Sequence, residues 1–181
     1  MLSVLVVCTG NICRSPAAQL VLSSVLDHSV EVTSAGTAAV VGAPVAAPMS
    51  RLLARHRVDA SGFAARALTA QMVSSADLVL AMTRAHRADV LALVPAALRR
   101  TLLFSEVAPI AEQVAQAPAA EDDGARLRAV LAGTGRARAN LDGPQADLDV
   151  VDPYGRDEEV YERVLRRIRT ESGRLVAALR R

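Results

Sequence analysis

The chain predicts an α/β fold: a single domain of three layers, in which helices flank a central four-stranded parallel sheet. Two observations carry this expectation. Short apolar runs alternate along the sequence with segments of helical periodicity, as in sheets whose strands are buried on both faces and joined by helices. The last segment is a long amphipathic stretch able to dock on such a sheet.

The elements follow in order. Ser3 to Val7, with its apolar run Val4 to Val7, reads as the first strand. Pro16 to Asp27 reads as a helix, with Pro16 at the tolerated first position. Val30 to Ser34 is the second strand, Ala46 to Arg57 a helix, Ala76 to Met82 the third strand, Thr83 to Leu93 a helix and Thr101 to Phe104 the fourth strand. Beyond them, Ser105 to Gln116 and Asp123 to Leu131 read as helices, with the acidic Glu121 to Asp123 as a solvated turn. Gly133 to Asp147 is polar and glycine-rich and reads as linker; its Gly133-Thr134-Gly135 has no strand before it, as a nucleotide loop would need. In the final segment, Asp157 to Arg180, residues Val160, Val164, Ile168, Leu175 and Leu179 recur on one helical face.

The densest chemistry lies between the first strand and the first helix, in Cys8-Thr9-Gly10-Asn11-Ile12-Cys13-Arg14-Ser15-Pro16. Backbone N–H groups from Thr9 to Arg14 can turn inward there, and the following helix adds the positive end of its dipole, which makes a phosphate-binding loop. The loop sits at the C-terminal end of a strand, where parallel sheets bind ligands. Cys8 is the expected nucleophile, because a helix N-terminus and a guanidinium both favour the thiolate. The planar fork of Arg14 suits two oxygens of a phosphoryl group. Ser15 either donates to the thiolate or caps the helix. Asn11 suits a left-handed backbone position.

Cys8 to Pro16 resembles the signature of the low-molecular-weight protein tyrosine phosphatases, Cys-x-Gly-Asn-x-Cys-Arg-Ser-Pro, and stands near the N-terminus as it does in that family. Ser34-Ala35-Gly36-Thr37, Asp59 to Arg66 and Ala76 to Met82 resemble the same family, which extends the likeness over most of the chain. The resemblance implies one domain over residues 1–181, with an extended helical and flexible insertion at about 105–148. It implies Cys8, Arg14 and Asp152 as catalytic residues, the last in Asp152-Pro153-Tyr154-Gly155, with the neighbouring Asp147 and Asp149 as acidic loop residues. Thr9, Gly10, Asn11, Ile12, Cys13, Ser15 and Tyr154 would bind substrate, and Ser34 would orient Asn11. The chain departs from the family pattern at Phe63, where many members carry histidine, and at Ala39-Val40-Val41-Gly42, where the family places an aromatic cleft wall. A wider cleft and one polar support fewer are expected.

Hydrolysis of phosphotyrosine through a phosphocysteine intermediate, without cofactor or metal, is the implied reaction, with a phosphotyrosine-containing protein as substrate and inorganic phosphate as product. An arsenate reductase would need relay cysteines beyond Cys13, and phosphoarginine phosphatases tend to carry threonine where Ile12 stands. A catalytically weak phosphoprotein-binding module is the alternative from another class. Cys13 is either a resolving thiol for an oxidised Cys8 or a small buried apolar residue.

Composition agrees with these expectations. The two cysteines make neither a disulfide framework nor a structural zinc site, and His28, His56 and His86 lack ligand spacing. No apolar run reaches the length of a membrane span and no signal segment is evident, so no membrane partner and a cytoplasmic location are expected. All 21 basic residues are arginine, intermixed with acids, and only four aromatic residues are present, so no nucleic-acid partner is expected.

Overall fold

The computed structural model describes residues 1–114, 122–139 and 148–181. Four parallel strands, β1 (Leu2–Cys8), β2 (Val30–Gly36), β3 (Leu78–Ala81) and β4 (Thr101–Leu103), form one sheet in the order β2-β1-β3-β4. Alternation along β1 sends Leu2, Val4, Val6 and Cys8 to one face and Leu5 and Val7 to the other. Both faces are covered, which is why β1 is apolar from Val4 to Val7 rather than alternating.

The first face carries helices α1 (Arg14–Val25), α2 (Ala47–Arg55), α5 (Phe104–Val114), α6 (Asp123–Ala139) and α7 (Glu158–Leu179), through residues such as Leu22, Leu53, Ile110, Leu127 and Ile168. The opposite face carries α3 (Ala70–Ser75), α4 (Arg84–Leu93) and a 3-10 turn at Pro95–Arg100, through Val73, Val90 and Ala97. The four expected strands and the helices around them are present, with ends shifted by at most two residues except at the end of α6. Helix α3 and the 3-10 turn were not anticipated: each buries a single residue, too little for a periodicity to register.

Three local expectations are corrected. Helix α1 begins at Arg14, so Pro16 is its third residue; an N–H is dispensable there too, since the first four have no partner within a helix. Residues 133–139 are not linker, because α6 continues through Gly133-Thr134-Gly135 to Ala139. A Cβ on Gly133 would lie 2.7 Å from Val114 Cγ1, so the glycine lets α6 close on α5, and Thr134 Oγ1 donates to Val130 O at 3.0 Å inside the helix. Nor is Asp123 a solvated turn residue. It is fully buried, accepts from the backbone N–H of Asp27 at 3.0 Å, and pairs with Arg180 at 2.7 Å, which joins the end of α1, the start of α6 and the end of α7. Asp147, Glu121 and the rest of the expected linker lie outside the described residues.

Candidate active site

The loop from Cys8 to Cys13 leaves β1 at the C-terminal edge of the sheet and turns straight into α1. Its turn depends on two residues. Asn11 has φ of +52°, the left-handed region that asparagine tolerates better than most residues. Gly36, at the end of β2, lies so close that a Cβ on it would stand 2.3 Å from Thr9 O, so the loop can descend onto β2 only where no side chain is present.

Asn11 is wholly buried and braced on both ends of its amide. Nδ2 donates to Ser15 Oγ at 2.9 Å and to Ser34 Oγ at 2.8 Å, while Oδ1 accepts from the Arg66 backbone N–H at 2.8 Å. Ser34 passes its own hydrogen to Gln19 Oε1 at 2.7 Å. Ser34, expected to orient Asn11, lies in contact with it, and Gln19 and Arg66 join the network as members that the sequence did not reveal. Phe63 contributes no polar support and packs on the apolar core instead.

Ser15 is not the cap of α1. That position belongs to Cys13, without a side-chain capping bond, and Ser15 is the second helical residue, its Oγ 2.9 Å from Cys8 Sγ. Because Ser15 Oγ accepts from Asn11, its hydrogen is left to point at the sulfur.

Arg14 is buried and reaches across to the distal loop, where NH1 donates to Val150 O at 3.2 Å and NH2 meets Asp152 Oδ2 at 2.5 Å. Arg14 Nε is also buried, with no hydrogen-bond partner among the described residues. The distal loop is held by backbone and side chain together. Val150 N–H donates to Met82 O at 2.8 Å, Asp149 accepts from Arg84 N–H at 2.9 Å, and Arg167 binds Asp149 O at 3.1 Å. Asp149 is thus an anchor at the start of α4. Asp152 itself is half exposed, and its Oδ1 accepts from Tyr154 N–H at 3.1 Å.

Tyr154 is exposed beside Asp152, while Val40 and Val41 are exposed on the loop after β2. Val40 N–H donates to Gly10 O at 3.0 Å, which sets this aliphatic segment against the rim of the cradle. Ile12 is partly buried against the core, with Cγ1 3.4 Å from where a Gly10 side chain would begin.

Cys13 faces inward. Burial pushes its thiol up to about 11, although a hydrogen bond with Tyr161 pulls the other way. One further residue, read from the sequence only as lacking ligand spacing, lies against the loop. His86, buried on the first turn of α4, lies with Nε2 2.8 Å from Thr9 Oγ1 and Nδ1 2.8 Å from Thr83 Oγ1. The available signal was Thr83-x-x-His86, the spacing of a helix cap with its third helical residue. Among the described residues, no group of three or more His, Cys, Asp or Glu is placed to hold a metal ion.

A family model described as low molecular weight phosphotyrosine protein phosphatase matches residues 3–114. The low molecular weight protein-tyrosine-phosphatase Etp of Escherichia coli K12 is 44% identical over 104 residues, covering 58% of this chain and 70% of Etp. A probable low molecular weight protein-tyrosine-phosphatase, EpsP of Ralstonia nicotianae, is 43% identical over 94 residues, or 52% of this chain and 64% of EpsP. Among solved structures, the tyrosine phosphatase AmsI of Erwinia amylovora superposes with a TM-score of 0.74 at 26% identity, over 100% of this chain and 95% of AmsI. The YwlE arginine phosphatase from Geobacillus stearothermophilus superposes with a TM-score of 0.73 at 26% identity, over 99% and 94%.

Proposed function

This chain belongs to the low molecular weight phosphotyrosine protein phosphatase family, and from that premise we propose that it hydrolyses phosphotyrosine in proteins by way of a phosphocysteine at Cys8. The observation that carries the reading is the convergence of three groups: a sulfur under a serine hydroxyl, a buried guanidinium whose Nε–H has no partner among the described residues, and a carboxylate in contact with that guanidinium. Buried donors without acceptors suit an anion, and the Cys8 to Cys13 loop supplies backbone N–H groups beside them.

In the first step the Cys8 thiolate attacks phosphorus and the ester P–O bond breaks. Its electron pair leaves on the phenolic oxygen, which takes a proton from Asp152. Arg14 and the loop amides hold the three equatorial oxygens, where charge spreads in the transition state. In the second step Asp152 accepts a proton from water as the water attacks phosphocysteine. Phosphate departs and the thiolate is restored, with Ser15 steadying the sulfur as leaving group.

Exposed aliphatic side chains at Val40 and Val41, beside the loop, and an exposed Tyr154 in the distal loop support an open cleft for a protein-borne aryl phosphate. The chemistry calls for no cofactor or metal, and a reactive thiol suits the reducing cytoplasm. No helix of the described residues is long and apolar enough to cross a membrane.

The test is hydrolysis of phosphotyrosine, phosphoserine and phosphoarginine peptides in competition, in the presence of a chelator, with acid quenching to trap phosphocysteine. Preferred cleavage of phosphotyrosine and a phosphate adduct on Cys8 are expected. Preference for phosphoarginine would move the substrate class to that named for the YwlE structure.

A further inference from the structure

The exposed Thr9 and the buried His86 are in contact, and their hydrogen bonds can be assigned by counting donors. Thr83 Oγ1 caps α4 by accepting from the His86 backbone N–H at 3.2 Å. Its other partner among the described residues is His86 Nδ1 at 2.8 Å. If Nδ1 carried the hydrogen, Thr83 would accept twice and its own hydrogen would have no acceptor in a part-buried place. If Thr83 donates to Nδ1, every group is used once, and the ring hydrogen falls on Nε2.

Nε2–H then donates to Thr9 Oγ1 at 2.8 Å, and Arg14 NH2 approaches the same oxygen at 3.4 Å. Both partners of Thr9 Oγ1 are donors, so the Thr9 hydroxyl hydrogen is left to neither. Thr9 is the exposed residue directly after Cys8 in the anion-binding loop. A second feature agrees with a single-hydrogen ring: burial and the Arg14 guanidinium hold the His86 pKa below its usual value, against the opposing pull of Asp89, Asp152 and Asp149.

Resting on the phosphatase reading above, we propose that His86 is a positioning residue that acts through Thr9: donation from Nε2–H fixes the Thr9 oxygen and directs its hydroxyl hydrogen to a phosphoryl oxygen held by the loop. The hydroxyl thereby becomes a side-chain donor to substrate next to the nucleophile, in addition to Arg14 and the backbone amides. A relay built from Thr83 through His86 to Thr9 also ties the start of α4 to the loop, although the two are 77 positions apart at their ends of contact.

The substitutions Thr9→Val, His86→Asn and His86→Gln test this together. Valine keeps the threonine shape and removes the hydroxyl. Asparagine keeps a polar group near Nδ1 but none at Nε2, whereas the amide nitrogen of His86→Gln reaches the Nε2 position. Inorganic phosphate affinity by calorimetry and kcat/KM for p-nitrophenyl phosphate are the readouts. Thr9→Val and His86→Asn are each expected to lower both by about tenfold, the worth of one hydrogen bond to a charged group. The double variant Thr9→Val with His86→Asn should fall no further than Thr9→Val alone, and His86→Gln should recover most of the loss.

Additive losses, or phosphate affinity unchanged in Thr9→Val while the wild type turns over substrate, would overturn the inference and leave the phosphatase reading intact. A wild type that neither binds phosphate nor hydrolyses the aryl ester would remove both. Imidazole 15N spectra of the unaltered protein give a check that needs no substitution: an Nε2–H ring is expected, and an Nδ1–H ring would overturn the assignment.

Discussion

Arg14 NH2 and Asp152 Oδ2 meet at 2.5 Å although 138 positions separate them in the chain. One partner is buried and the other half exposed. The carboxylate therefore occupies a guanidinium donor that phosphoryl oxygens would also use, and the two anions compete for it. Replacing Asp152 by asparagine should act in opposite directions on binding and on turnover. Phosphate affinity rises a few-fold, since a half-exposed ion pair is worth little. Turnover falls about 10²-fold or more for esters with poor leaving groups and much less for good ones, as expected when a general acid is lost. Kinetics over a series of aryl phosphates, with calorimetric phosphate binding, check both; an equal loss for all leaving groups would take Asp152 out of the acid role.

Cys8→Ser should abolish turnover and keep phosphate binding. The hydroxyl is a far weaker nucleophile than a thiolate, while the Arg14 fork and the loop amides stay in place. Calorimetry beside an activity assay tests this, and loss of both properties together would point to collapse of the loop.

The Asn11 brace predicts coupled losses. Ser34→Ala removes the acceptor of one Asn11 Nδ2–H, at a buried position, and the donor to Gln19 Oε1, at a part-buried one. Stranding such groups costs about 1–3 kcal/mol. Urea denaturation should register that loss, and kcat/KM should fall with it because Asn11 holds the turn at positive φ. Unchanged kinetics in a destabilised variant would confine Ser34 to a structural role.

Gly36→Ala should displace the loop. Its Cβ would meet Thr9 O at 2.3 Å and Asn11 N at 3.0 Å, both backbone atoms that cannot swing aside. Phosphate affinity is expected to drop more sharply than thermal stability, since the strain falls on the cradle rather than on the core. Tm and phosphate titration, measured on the same sample, separate the two.

Acid should loosen the junction of α1, α6 and α7. Hydrogen bonds from the Ser29 hydroxyl and from backbone N–H groups lower the Asp27 pKa to about 2. For Asp123, burial pushes upward, but Arg180 and the Asp27 N–H outweigh it and the pKa is lowered. A folded-state value below the unfolded one, about 3.9 for aspartate, gives stability that is full above that value and lost as pH falls toward the folded pKa. Tm should decline between about pH 4 and pH 2 on this account. Asp123→Asn should lower Tm at neutral pH and approach the wild type near the acid end; a gap that persists at low pH would remove the electrostatic explanation.

The sequence alone determined the sheet and the nature of the chemistry. Val4 to Val7 is apolar at every position because both faces of β1 are covered, and such a run is visible without coordinates. Cys8, Asn11, Arg14 and Ser15 sit within one strand-to-helix turn, so their company is local and their residue types already state it. The family likeness added Ser34 and Asp152. What only the tertiary structure decided is everything made by distant segments meeting. Asp152 against Arg14, Gly36 under Thr9, Gln19 behind Ser34 and His86 beneath Thr9 are contacts across crossovers, and neither periodicity nor spacing encodes which loop ends share an edge of the sheet. The helix through Gly133-Thr134-Gly135 and the buried Asp123 have the same cause. Glycine and aspartate read locally as turn residues, and close packing on Val114 and pairing with Arg180 override that preference because burial and hydrogen bonding outweigh intrinsic propensity.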